Sequence, residues 1–175
     1  MSRRIPSIDI SPIRTDDAAA RAALATKIDA ACRDLGFLVI RGHGVDPMLI
    51  ESMHAHAASF FALPRDEKRA VAIGTVSDFN GYAGNDSQVL SRTLVDDDRS
   101  TGDVPLPDIR ETFQIGPFGF PDDPYFTEPP GSHYFGANAW PAQLPELRPV
   151  MEEYFKALDR VSADVLHAMA IALDL

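Results

Sequence analysis

Three short stretches of this 175-residue chain read as β-strands, and long helical or irregular segments separate them. Ser7-Ile8-Asp9-Ile10 alternates polar and apolar residues and stops at Ser11-Pro12. Phe37-Leu38-Val39-Ile40 is a continuous apolar run between Gly36 and Gly42, which predicts a buried strand. Thr112-Phe113-Gln114-Ile115 ends at Gly116-Pro117 and predicts the third. Three strands make a thin sheet, and each exposes ladder groups at its edges until something pairs with them. The pattern therefore predicts further structure that these strands would join.

Between the strands the apolar period is helical. Thr15, Asp16 and Asp17 offer N-cap oxygens for a helix to Leu35, with Ala20, Leu24, Ile28, Ala31 and Leu35 on one stripe. Gly36 stands where a helix ends. Asp46-Pro47 starts a second helix to Leu63, and Pro64 opens a short third through Lys68 and Arg69. Residues 74–107 are rich in Gly, Asp and Ser and predict a long irregular excursion. A stretch rich in Pro and aromatic residues, Phe118 to Pro141, holds the only tryptophan, Trp140. The chain closes on a helix from about Arg148 to Leu175, with Met151, Tyr154, Phe155, Leu158, Val161, Val165 and Met169 on its stripe. No repeat or boundary is visible, so residues 1–175 read as a single region.

Composition excludes several classes. No apolar run approaches the roughly 20 residues that span a bilayer, and Met1 to Ile10 lack the apolar core of a secretory signal, so the chain reads as cytoplasmic with no membrane partner. A net charge of -10 repels phosphate backbones and argues against nucleic acid. The one cysteine, Cys32, falls on the apolar stripe of the first helix and reads as a small buried packing residue. There is no G-x-S-x-G, P-loop, G-x-G-x-x-G or C-x-x-C.

Several segments, in order, carry a resemblance. Ile5-Pro6-Ser7-Ile8-Asp9 fits an I-P-x-I-D strand, and Gly36-Phe37 through His43-Gly44-Val45 fits a G-F-x5-H-G-V segment. Phe60-Phe61-Ala62-Leu63-Pro64 with Glu67-Lys68, then Gly81-Tyr82, then Glu111-Thr112-Phe113 follow. Asn138, Trp140-Pro141 and Pro145 precede the long helix. Together they resemble the N-terminal half of isopenicillin N synthase-like, Fe(II)- and 2-oxoglutarate-dependent oxygenases. The resemblance implies an α/β (α+β) fold, with N-terminal helices and a few strands that would wrap and extend a double-stranded β-helix (jelly roll). It also implies that the jelly-roll core is largely absent from this chain. Such enzymes hold Fe(II) with a His-x-Asp pair and a distal His, leaving coordination sites open for oxygen chemistry, and bind 2-oxoglutarate with an Arg-x-Ser.

None of the five histidines fits that iron pattern. Two positions after His43, His54, His56, His133 and His167 stand Val45, His56, Ala58, Phe135 and Met169. In the resembling family the ligands lie beyond the long helix, so no catalytic, cofactor-binding or metal residue is assigned here, and Fe(II) and 2-oxoglutarate are implied only for the full-length family. Arg160-Val161-Ser162 spells Arg-x-Ser by chance inside a helix. His54 and His56 point about 200° apart on a helix and cannot share an ion. His43 is expected to fix a turn, and His167 to pack beside the last helix's stripe. Asp96-Asp97-Asp98 lacks the spacing of a calcium loop and reads as solvated. Tyr82, with Asn80 beside it, is the substrate-facing candidate that the resemblance implies; the alternative is a tyrosine packing a loop onto the sheet.

The functional expectation is the N-terminal part of an oxygenase acting on a small molecule, inactive alone, whose partner is a C-terminal catalytic half from the same gene or a separate chain. Two alternatives stay open: one half of a split oxygenase, and a non-catalytic binding or dimerisation module that self-associates.

Overall fold

A computed structural model describes residues 4–74, 79–84 and 109–175. The chain divides into two compact units, one of Met1–Met53 with Met151–Leu175 and one of His54–Val150. The architecture is mixed: helices and a few short strands. The Asp96-Asp97-Asp98 run lies outside the described residues.

The first unit opens with a β-α-β motif. Strand β1 (Ser7–Asp9) leads through a 3-10 turn, Ser11–Arg14, into helix α1 (Ala18–Asp34) and on to strand β2 (Val39–Arg41). β1 and β2 pair in parallel, Ser7 with Val39, Ile8 with Ile40 and Asp9 with Arg41. Parallel strands need such a crossover, and α1 provides it. The ladder runs on at both ends, because the Val39 N–H donates to Pro6 O and the Ile10 N–H to Arg41 O, each at 2.9 Å. Asp17 caps α1, accepting from the N–H groups of Ala19 (2.9 Å) and Ala20 (3.0 Å). Gly36, at φ +72°, ends it by donating back to the Ala31 and Cys32 carbonyls.

The core of this unit is aliphatic. Ile8, Ile10, Ile13, Leu24, Ile28 and Ala31 pack with Val45 and with Ala157, Val161 and Ala168 of the long helix α6 (Leu147–Ala172). Leu38 and Ile40 join them, but Phe37 and Val39 are 69% and 52% exposed. The expectation of a wholly buried strand is corrected here. A strand alternates its faces, and only the Leu38/Ile40 face meets the core. Cys32 is exposed, not buried. It lies two turns beyond buried Ala25, where that edge of the stripe opens to solvent. His167 is exposed as well, about 100° around the helix from fully buried Ala168, so it does not pack as expected.

The second unit contains most of helix α2 (Pro47–Phe61), which starts in the first unit with the Asp46 carboxylate accepting from the Met48 N–H at 2.9 Å. Helix α3 (Arg65–Arg69) follows, then strands β3 (Gly81–Ala83) and β4 (Thr112–Gln114), then two single turns, α4 (Pro124–Thr127) and α5 (Gly131–Tyr134). β3 and β4 are antiparallel, with Tyr82 opposite Phe113. The described residues thus hold four strands where three were expected. Gly81-Tyr82-Ala83 lies among glycines with no β-branched or alternating apolar residues to mark it, and its partners make it a strand. The Tyr82 N–H donates to Val71 O (2.8 Å), and Tyr82 O accepts from the Ile73 N–H (3.0 Å). Gly81 permits the approach, since a Cβ there would stand 2.6 Å from Val71 O.

Candidate functional site

Lys68, Tyr82 and Glu111 form a polar network beside an aromatic cluster of the second unit. α3 presents Lys68, β3 presents Tyr82, and Glu111 immediately precedes β4. The Lys68 ammonium donates to Glu111 Oε1 at 2.7 Å and to Phe61 O at 3.0 Å. The Tyr82 hydroxyl donates to the same Glu111 oxygen. Lys68 Nζ also lies 5.6 Å from the Tyr82 ring centroid, within cation–π range. Lys68 is 6% exposed, and a charge buried that deeply requires a partner. The Lys68 hydrogen bond, then that from Tyr82, holds the Glu111 carboxyl below the usual glutamate range. The arrangement keeps one carboxylate ionised and oriented at the strand pair.

Aromatic rings pack on the Tyr82 side of this network. Fully buried Phe60 sits 6.1 Å from Tyr82 edge-on and 4.4 Å from Phe113. Trp140 meets Phe113 edge-to-face at 6.3 Å and stacks on Phe118, and the Arg148 guanidinium lies 6.0 Å from its ring. Two amides fasten the loops. Asn138 accepts from the Gly116 N–H (2.8 Å) and donates to Gly116 O (3.0 Å), which satisfies a backbone residue on both sides. Asn80 donates to Gly136 O at 2.9 Å.

The two substrate-facing candidates therefore fall in the same unit and are both buried, Tyr82 at 5% and Asn80 at 4% exposed. Sequence reasoning missed the Lys68–Glu111 pair, whose partners stand 43 residues apart. Burial of a lysine on a five-residue helix leaves no periodic signal; the only hint was that both residues fall within the resembling segments.

The histidines are scattered. His43 Nδ1 accepts from the Val45 N–H at 3.1 Å, fixing the turn after β2 as expected. His54 is exposed on α2, and Arg160 is exposed on α6 beside buried Val161. Among the described residues no three His, Cys, Asp or Glu side chains are grouped to hold a metal ion. Nor, among them, is any helix long and apolar enough to cross a membrane.

Known proteins share this sequence pattern and this fold. Residues 5–143 match the family described as non-haem dioxygenase in morphine synthesis N-terminal. Validamycin A dioxygenase from Streptomyces hygroscopicus subsp. limoneus is 34% identical over 175 residues, which is 100% of this chain and 45% of that protein. The 2-oxoglutarate-dependent dioxygenase citB from Monascus ruber is 36% identical over 97% of this chain and 48% of its own length. Among solved structures, a full-length Neurospora crassa protein in complex with alpha-KG and thymine superposes with a TM-score of 0.69 at 25% identity, over 98% of this chain and 49% of that one. A Caulobacter crescentus protein assigned to the 2OG-Fe(II) oxygenase family gives 0.73 at 22% identity, over 99% and 50%. The chain spans about half the length of the curated relatives it matches. It belongs to the non-haem dioxygenase N-terminal family and corresponds to the N-terminal region of Fe(II)/2-oxoglutarate-dependent oxygenases.

Proposed function

We propose that these residues supply the N-terminal half of an Fe(II)- and 2-oxoglutarate-dependent oxygenase acting on a small molecule. The jelly-roll core and the iron ligands then come from sequence outside residues 1–175, in the same polypeptide or a second one. One observation carries the reading: relatives named as 2-oxoglutarate-dependent dioxygenases align along 97% of this chain and extend to about twice its length. In this reading residues 1–175 act as one region. Tyr82 and Asn80 contribute from the substrate side of the completed pocket, with Glu111 and Asn138 orienting the strand and loops that carry them. The protein works in the cytoplasm, with neither nucleic acid nor membrane as a partner.

The chain by itself then neither retains Fe(II) nor decarboxylates 2-oxoglutarate. Succinate release is the readout, measured for the 175 residues alone and with a catalytic half supplied in cis or in trans. Activity is expected only in the second arm. Tightly held iron that supports succinate formation by the chain unaided overturns the proposal.

A second reading, a self-associating module without catalysis, draws on the exposed Phe37 and Val39, which lie on the outward face of the β1–β2 pair. Large exposed apolar surface is characteristic of an interface. Sedimentation that finds a stable, well-folded dimer of the chain favours this reading; an aggregating chain favours the first.

A further inference from the structure

The first unit holds a cavity of about 340 Å3 whose lining residues take no part in the network around Glu111. Its apolar lining is small: Val45, Ala157 and Ala163. Its charged lining is Arg14 and Arg160 against a single carboxylate, Asp164, with His43 beside them. That carboxylate is already committed, because Arg14 Nη1 donates to Asp164 Oδ2 at 2.6 Å while Arg14 Nη2 donates to Gly42 O. The pair cancels one charge of each sign and leaves Arg160 in surplus. Among the described residues Arg160 has neither an ion pair nor a hydrogen bond. His43 uses Nδ1 as an acceptor from the Val45 N–H. The hydrogen of the neutral imidazole is therefore on Nε2, which stays available as a donor.

We infer that this cavity binds a short-chain aliphatic carboxylate. The guanidinium fork of Arg160 matches a carboxylate through two parallel hydrogen bonds, and His43 Nε2–H supplies a third donor. The tail lies against Val45, Ala157 and Ala163. A chain with net charge -10 repels anions at long range, so affinity comes from these short-range donors and from burial of the tail. A compact anion without a tail gains only the first contribution.

The probes are hexanoate and inorganic phosphate, titrated separately by calorimetry into the protein at its natural length. Hexanoate binds saturably at one site, and phosphate binds at least about tenfold more weakly, since each buried methylene adds to affinity. R160Q weakens hexanoate about tenfold or more by removing a charged donor, and R160K recovers part of the loss. D164N removes the opposing carboxylate and tightens hexanoate. Arg160 is exposed, so its variants retain the wild-type circular dichroism spectrum. A carboxylate bound elsewhere, including at a co-substrate site in a catalytic half, would be insensitive to both R160Q and D164N. That insensitivity, phosphate binding as tight as hexanoate, or the lack of saturable hexanoate binding overturns the inference. None of these readouts depends on turnover.

Discussion

The two units cohere by different means. The first is built on aliphatic side chains at helical and strand spacing: Ile8, Ile10 and Ile13 under Leu24 and Ile28, closed by Ala157 and Val161. The second is built on rings and long-range polar contacts, with Phe60, Tyr82, Phe113 and Trp140 beside the Lys68–Glu111 pair and the Asn138–Gly116 clamp. An aliphatic core tolerates exchange of one apolar residue for another of similar volume. A buried polar network does not, because removal of one member leaves another without its partner. The second unit should therefore concentrate its stability in fewer residues.

Truncation of a ring tests that difference most severely. Phe60 is 1% exposed and touches Phe61, Tyr82 and Phe113. Phe60→Ala should cost about 3–5 kcal/mol, from lost burial and from the cavity left among rigid rings. Ile28→Ala, at an equally buried aliphatic site, should cost less, roughly 2–4 kcal/mol, because neighbouring aliphatic side chains relax into the space. Urea unfolding of both variants gives the comparison. A larger loss at Ile28 than at Phe60 would reverse it.

Lys68→Met probes the polar half of the same claim. The methionine keeps most of the volume and most of the apolar stem, but Glu111 is left with Tyr82 alone of its two donors and the Phe61 carbonyl loses the ammonium. Glu111 is 31% exposed, so water takes over part of the lost interaction, and the cost should be about 2 kcal/mol. If Lys68→Met is as stable as wild type, the network contributes nothing net, and the second unit rests on its rings alone.

This contrast also governs what could be read from the sequence. The first unit was largely legible: an N-cap among Thr15, Asp16 and Asp17, Gly36 as terminator, the Leu24–Ile28–Ala31 stripe and the His43 turn all follow from signals within a few residues. Its errors were about facing. Phe37, Val39, Cys32 and His167 are exposed because one side of a strand or helix meets nothing, and a one-dimensional pattern does not show where the covering layer ends. In the second unit α3, β4 and the course of α2 were legible from local signals, but what joins them was not. Strand β3 exists because Val71, Ile73 and Gln114 supply partners, and Lys68 is buried because Glu111 reaches it from 43 residues away. No local period encodes either. The candidate site shares this limit: Tyr82 was located by a dipeptide motif, while the carboxylate that fixes its hydroxyl was not assigned a role.

A smaller effect should separate a local determinant in the first unit from the long-range ones in the second. Asp17→Ala removes the acceptor for two N–H groups at the start of α1 and should cost about 1 kcal/mol. Asp17→Asn should recover most of it, because an amide oxygen also caps. Failure of asparagine to recover stability would mean that charge, rather than capping geometry, is what α1 requires there.

Acidification gives the finest comparison, since each unit carries one carboxyl held below its ordinary range for a different reason. Asp9, fully exposed, is held down first by the Ser11 backbone N–H and then by the Ser11 side chain, with Arg41 and Arg14 adding smaller contributions. Glu111 is held down first by Lys68 and then by Tyr82. A carboxyl that binds its proton less tightly in the folded state than in the unfolded one stabilises the fold at pH above its unfolded pKa. That stability is lost as pH falls through the depressed folded value. Wild-type stability should therefore decline from about pH 5 downward. Lys68→Met removes the largest cause at Glu111 and leaves Asp9 untouched, so its decline should be shallower than wild type but still present. Urea midpoints collected across that range decide the matter. A decline in Lys68→Met as steep as in wild type would assign the acid sensitivity to the backbone-held aspartate of the first unit and leave the buried lysine without a role in it.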